Sequence, residues 1–258
     1  MSARQADSDD ATRVTLYRLI FLAGLIGAWW LVANHVGVNL IPTPLATLEA
    51  AQRLFEQGRL FKALGESLSV YVSGYLLAVA AAVPLGVLMG AFRPLGRTLE
   101  IYVYALAATP RVAFIPLIIV FLGLGFQAKL FVVFLGAVMP ILLNTYAGVQ
   151  NVDRELLEMA RSVRASRWQV FRRIVIPGAV PFIIVGLRIG ATIGLINTVV
   201  AELYTAVSGL GGLLAIYGNT FRMAEYFVIV LCLSAIGVVV TEGLRFLEGK
   251  LGRWRTST

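Results

Sequence analysis

Cysteine and histidine are nearly missing from this sequence: Cys232 and His35 stand alone among 258 residues. A single thiol excludes a disulfide within one chain, and one Cys with one His cannot build a Cys/His metal site. Charge is also scarce, at 14% Asp, Glu, Lys and Arg, against about 25% in soluble domains. There is no Gly-x-Ser-x-Gly elbow and no GxxxxGK[ST] phosphate loop, so the familiar hydrolase and nucleotide sites are not written here. No Asp or Glu lies near the middle of an apolar run, where a secondary transporter would hold its coupling ion. The glycine clusters at Gly123 and Gly209 read as turns.

What is abundant is apolar surface. Hydrophobic residues make up 59% of the chain, beyond the roughly 45–50% of soluble domains. The composition is that of an all-α, polytopic membrane helix bundle. The net charge of +8 resides mostly in arginines at the ends of apolar runs, where they set topology, so no nucleic-acid partner is expected.

A membrane helix needs about 20 apolar residues. The first candidate is Leu16 to Val36, an uncleaved anchor after a polar leader, with Trp29 and Trp30 toward its far end. An amphipathic piece, Asn39 to Glu66, follows; Thr47 to Lys62 has helical spacing and the character of a surface helix. Residues 1–65 thus form a tail, anchor and surface segment, and 66–258 a core. The core spans are about Leu68–Phe92, Glu100–Leu124 with Pro110 and Pro116, Leu130–Val149 with Pro140, Gly178–Glu202, and Tyr226–Leu247. A glycine-rich link, VSGLGG from Val207, precedes the last.

With about six spans, both termini share a side. Fifteen Lys and Arg fall on that side; five, Arg53, Arg59, Lys62, Lys129 and Arg222, fall on the other. The positive-inside rule makes the first side cytoplasmic. Arg111 and Arg188 lie inside spans, each about 15–17 Å from the cytoplasmic end at 1.5 Å per residue. Midplane cations face a cavity or a partner. They are candidates for guiding an anion; alternatively they bond carbonyls freed by the nearby prolines.

The loop at about 150–177 is cationic and cytoplasmic by this count. It reads as two short helices. Leu156, Leu157, Ala160 and Val163 stripe the first; Ser166 and Gln169 form a capping box for the second, which Pro177 ends. Such a pair either lies on anionic lipid or docks a soluble partner.

Glu158-Met159-Ala160 through Ile176-Pro177 resembles the EAA motif of bacterial ABC-importer permeases, in the nitrate, sulfonate and taurine branch. The likeness runs from ESLSVYVSGYLLAVAAAVPLGVLMG through TPRVAFIPLIIVFLGLG and PILLNTYAGVQNVDRELLEMAR to VPFIIVGLRIG, VVAEL and SGLGGLL. Met159 stands where the motif usually has alanine, and Arg164 where it has glycine. Arginine in the left-handed region costs roughly 1 kcal/mol, so either the turn differs or that cost is accepted.

The resemblance implies a type I ABC importer permease in the bacterial inner membrane. It implies a second permease copy as a homodimer, two cytoplasmic ABC ATPase subunits, and a periplasmic substrate-binding protein. ATP and Mg would be bound by the ATPase, with no cofactor on this chain and no catalysis by it. Glu158, Met159, Ala160, Arg161, Ser162, Arg164, Ala165 and Ser166 would form the ATPase-coupling site, with Glu158 facing a basic group. The implied cargo is a small anion such as a sulfonate, taurine or nitrate; a pyrimidine vitamin precursor or an aromatic carboxylate is the alternative, and a secondary transporter the alternative class.

Overall fold

The computed structural model describes residues 3–37, 40–205 and 208–251. Asn39, Val207, Arg253 and Arg255 lie outside the described residues, as do the side chains of Arg4, Arg154 and Lys250. Every regular element among the described residues is helical. Among the described residues, five helices are long and apolar enough to cross a membrane, six if one sharply bent pair counts as a single span. The chain forms two compact units, Met1–Leu60 with Leu214–Leu231, and Phe61–Leu213 with Cys232–Thr258.

The first unit holds α1 (Ala3–Val36) and α2 (Pro44–Glu56). Only 6% of the apolar stretch of α1 is buried, which suits a helix surrounded by lipid. Among the described residues, Ala33 is its one buried residue, and Trp29 is half-buried: its indole N–H donates to the Pro42 carbonyl at 2.9 Å, and its ring stacks on Phe227. Thr43 caps α2 by accepting from the Ala46 amide, with Pro44 in the first turn, where its missing N–H costs nothing. The amphipathic helix is shorter than its spacing suggests. It stops at Glu56 because Gly58 takes a left-handed φ of +67°, and the next helix starts at Arg59.

The second unit is built on α3 (Arg59–Ala91), α6 (Phe126–Gln150) and α9 (Ile176–Thr205). Two of them present small residues every fourth position: Gly74, Ala78, Ala82, Gly86 and Gly90 on α3; Gly186, Gly190 and Gly194 on α9. Small side chains let membrane helices approach closely, because packing rather than water expulsion drives their association. A Cβ on Gly74 would stand 2.7 Å from Val133 Cβ, and one on Gly86 2.8 Å from Thr145 Cβ. These pairs advance together, so α3 and α6 run parallel. Ile141 meets Gly190 while Phe182 meets Gly148, so α6 and α9 run antiparallel. α6 is the central element, with half of its apolar window buried.

Three expectations need correction here. The third span is not one helix. α4 (Arg93–Ala108) ends at Thr109, a 3-10 turn (Arg111–Phe114) follows, and α5 (Ile115–Leu122) leaves at 79°. Pro110 and Pro116 remove two amide donors close together, and Arg111 fixes the break, as described below. Pro177 does not end the second helix of the loop. α8 (Arg167–Val170) passes through a π turn (Phe171–Val175) into α9 without interruption. The Ile176 amide reaches back five residues to the Phe171 carbonyl, and this wider turn admits the proline that follows it. The GLGG cluster is not a turn either: α10 (Gly209–Asn219) starts on it, followed by α11 (Met223–Leu251). Only Gly209, at φ +86°, keeps turn geometry.

Candidate functional site: a docking turn, a broken span and a buried carboxylate

The loop after α6 opens with Asp153, whose carboxylate accepts from the Glu155 amide at 2.9 Å and starts α7 (Arg154–Ser162). At its other end the Arg164 amide donates to the Arg161 carbonyl at 3.0 Å, and the Ala165 amide to the Ala160 carbonyl at 2.9 Å. This crossed pair is a Schellman motif, which needs a left-handed residue at its crossing. That residue is Arg164, with φ +54°. The turn is therefore the one a glycine would make, and the backbone cost is accepted. The chain then enters α8 through the capping box: Ser166 Oγ accepts from the Gln169 amide at 3.2 Å, and Gln169 Oε1 from the Ser166 amide at 2.8 Å.

Ala160 is the buried anchor of α7, at 3% exposure. Glu158, Met159, Arg161, Ser162, Arg164 and Ser166 are all exposed, and Ala165 is half-buried. Leu156, Met159, Val163 and Trp168 expose large apolar surfaces on the same two helices, with Glu155, Glu158, Arg161 and Arg167 among them. Exposed apolar side chains ringed by both signs of charge have the composition that a protein-docking surface needs. Arg164→Gly should leave this turn intact and raise stability by about 1 kcal/mol, the left-handed cost removed. A thermal melt of the purified protein checks it; a lower melting temperature would mean that the guanidinium holds the turn.

Arg111 sits at the break between α4 and α5. Its Nη1 donates to the carbonyls of Gly136 at 2.9 Å and Leu135 at 3.2 Å, and its Nη2 reaches the Ala107 carbonyl at 3.4 Å. Gly136 lies four residues before Pro140, which has no amide to offer it. Arg111 thus caps the carbonyl that Pro140 frees in α6 and the last turn of α4. The prolines nearest in sequence, Pro110 and Pro116, are not the ones whose carbonyls it serves. Arg188 lies on a different element, half-buried on α9.

A third cluster was not singled out from sequence. Glu202, near the end of α9, is fully buried. Ser67 Oγ, on α3, donates within 2.8–2.9 Å of both its oxygens, and the Gly211 amide donates to Oε2 at 2.9 Å. The Leu210 amide donates to Ser67 Oγ at 2.8 Å, and the Gly209 amide to Glu66 Oε2 at 2.9 Å. The first three amides of α10, which no helix satisfies itself, are thus all taken by side chains. The carboxylates also meet the positive end of the α10 dipole. Lys129, counted in the sequence among topology-setting cations, is instead 2% exposed; its Nζ donates to Ser208 Oγ at 2.7 Å and Ser208 O at 3.2 Å. The signal was present: a carboxylate in an apolar run, seven residues before GLGG.

Known proteins place this architecture. Residues 82–253 match the family model described as "Binding-protein-dependent transport system inner membrane component". A "Probable ABC transporter permease protein" of Brucella abortus (strain 2308) is 35% identical over 244 residues, covering 95% of this chain and 97% of that protein. The taurine transport system permease protein of Escherichia coli K12 is 30% identical over 240 residues, 90% of this chain and 87% of its own. Among solved structures, an inward-facing form of the MetNI methionine ABC transporter matches with a TM-score of 0.66 at 19% identity, covering 76% of this chain and 97% of its own, and supports the type I importer permease fold. The chain belongs to the family of binding-protein-dependent transport system inner membrane components, the permeases of ABC importers.

Proposed function

We propose that this protein is the membrane-spanning subunit of an ATP-driven importer for a small anion, a sulfonate such as taurine or else nitrate. A periplasmic binding protein delivers the cargo. Two copies of the permease form the pathway, and two cytoplasmic ATPase subunits, which hold ATP and Mg, drive it. Both termini and the α7–α8 pair face the cytoplasm, as the excess of cations on that side supports.

The observation that carries this reading is the α7–α8 pair itself. It exposes Leu156, Met159, Val163 and Trp168, and it is continuous with a membrane-crossing helix, so a partner that moves α8 moves α9. Glu158, Met159, Arg161, Ser162, Arg164 and Ser166 form the contact surface, with Ala160 and Ala165 setting its shape. The anionic cargo rests on the taurine permease and on the branch the sequence resembles. Arg111 contributes less to it, its donors being engaged by carbonyls; Arg188, half-buried on α9, is the second candidate pathway cation. A pyrimidine vitamin precursor or aromatic carboxylate is the alternative cargo, and a ligand screen on the binding protein separates the two.

Glu158→Lys is the direct test. The substitution reverses a charge on the exposed face of α7 and should leave insertion unchanged. Co-purification of the ATPase should fall about tenfold, the loss of one charge-assisted contact plus like-charge repulsion. Normal ATPase recovery together with normal substrate-stimulated hydrolysis would remove Glu158 from the interface.

A further inference from the structure

One helix joins the docking turn to the buried carboxylate. α8, the π turn and α9 run from Arg167 to Thr205, 39 residues, or about 58 Å at 1.5 Å per residue. The α7–α8 pair is at its base and Glu202 near its tip. We infer that Glu202 and Ser67 form a latch: they fasten the tip of this rod to α3 and α10, and they part when the rod is moved from its base. Glu202 is on this inference a positioning residue for the transport cycle. The inference rests on the importer reading and adds to it the group that senses the stroke at the far end.

The partners of Glu202 carry the inference. Both its donors come from helices other than its own, Ser67 on α3 and Gly211 on α10, so the contact reports where α9 stands relative to each. Lys129 adds α6 through Ser208. Four helices therefore meet at one polar knot. A pocket of about 160 Å³, lined by Glu66, Val70, Lys129 and Ser208 among others, lies against the knot. Glu66, Ser69, Lys129 and Ser208 are its polar lining, so a water entering it would find hydrogen-bonding partners beside the knot. The latch has two states and nothing between. A carboxylate half released in a low-dielectric site keeps its desolvation cost without its donors. A fully buried ionisable group in a membrane protein is costly to hold, which makes it a candidate for function.

The test uses the complete transporter in proteoliposomes, with Glu202→Gln and Ser67→Ala. Two readouts are taken: ATP hydrolysis with and without loaded binding protein, and deuterium exchange at the amides of residues 209–211. The variants should assemble in normal amount. Basal hydrolysis should rise about fivefold and stimulation by the binding protein should nearly vanish, because the resting arrangement is no longer held. Exchange at 209–211 should quicken about tenfold, and in the unmodified protein it should quicken on adding a non-hydrolysable ATP analogue. Faster exchange with unchanged basal rate and stimulation overturns the latch and leaves a structural knot, as does failure of both variants to assemble. If Glu202→Gln alone fails, Ser67→Ala decides by the same criteria, since it keeps the carboxylate and its Gly211 bond. An unmodified protein that responds to no binding protein, yet whose 209–211 amides still respond to the nucleotide, would count against the importer reading and not the latch.

Discussion

Arg111→Gln is expected to reduce the yield of inserted, detergent-stable protein by about a hundredfold, equivalent to some 3 kcal/mol. The substitution removes the donors that Gly136, Leu135 and Ala107 accept from. Leu135 has its own helical amide to fall back on. Gly136 has none, because the residue four ahead is Pro140, and no bulk water reaches a membrane helix to replace it. A carbonyl left unpaired in that setting costs several kcal/mol. Arg111→Lys, with one point-like donor group in place of a planar fork, should fall between. Fluorescence-detected gel filtration of solubilised membranes measures the yield. Transport per assembled complex then separates holding the fold from guiding the cargo. In the first case the apparent affinity for an anion is unchanged in the Lys variant. Full yield of the Gln variant with a weakened anion affinity would instead place Arg111 on the pathway.

Gly211→Ala and Gly209→Ala should be nearly as damaging, for a steric reason. A Cβ on Gly211 would lie 2.6 Å from the Val199 carbonyl oxygen and 2.7 Å from Glu202 Cβ, both fixed to α9. A Cβ on Gly209 would lie 2.0 Å from Glu202 Oε1, at a φ of +86° that already disfavours a side chain. Relief requires α10 to lift off α9, which breaks the bonds to Glu202 and Ser67 together. A loss of about 3 kcal/mol is expected from overpacking and lost hydrogen bonds, seen as a drop in melting temperature of the purified protein. Gly237→Ala is the control, since its Cβ would meet only Leu195 at 3.8 Å and alanine favours the helix. Equal melting of all three would mean that the chain repacks freely around α10.

The apolar runs and the capping box at Ser166 could be read from residue order because each depends on neighbours in sequence; the turn at Arg164 was left open between a different turn and an accepted left-handed cost, and its φ of +54° decides for the second. What escaped depends on neighbours in space. Pro110 and Pro116 signalled a distortion, but its depth is decided by Arg111 meeting a carbonyl that Pro140 frees about 25 residues away. Pro177 read as a terminator because a proline normally is one; a single π turn, with no sequence mark of its own, carries the helix past it. Lys129 and Glu202 sit near the ends of apolar runs, where charges usually face water. Only the packing of α3, α6, α9 and α10 encloses them.

The π turn also absorbs a residue. It holds one residue more than the α-helix would over the same rise, so removing any one of Phe171 to Val175 would restore a regular helix while keeping the composition of both ends. Five residues in the wider turn sweep about the same angle as four in an α-helix, so α7 and α8 would keep their bearing to within about 10°. Leu156, Met159, Val163 and Trp168 would still face as they do now. The exposed apolar face of α7 and α8 therefore tolerates one residue more or fewer at this place and nowhere else along α9. Chimeras that exchange the loop between relatives can differ by that one residue between Ser166 and Pro177 without turning the face away.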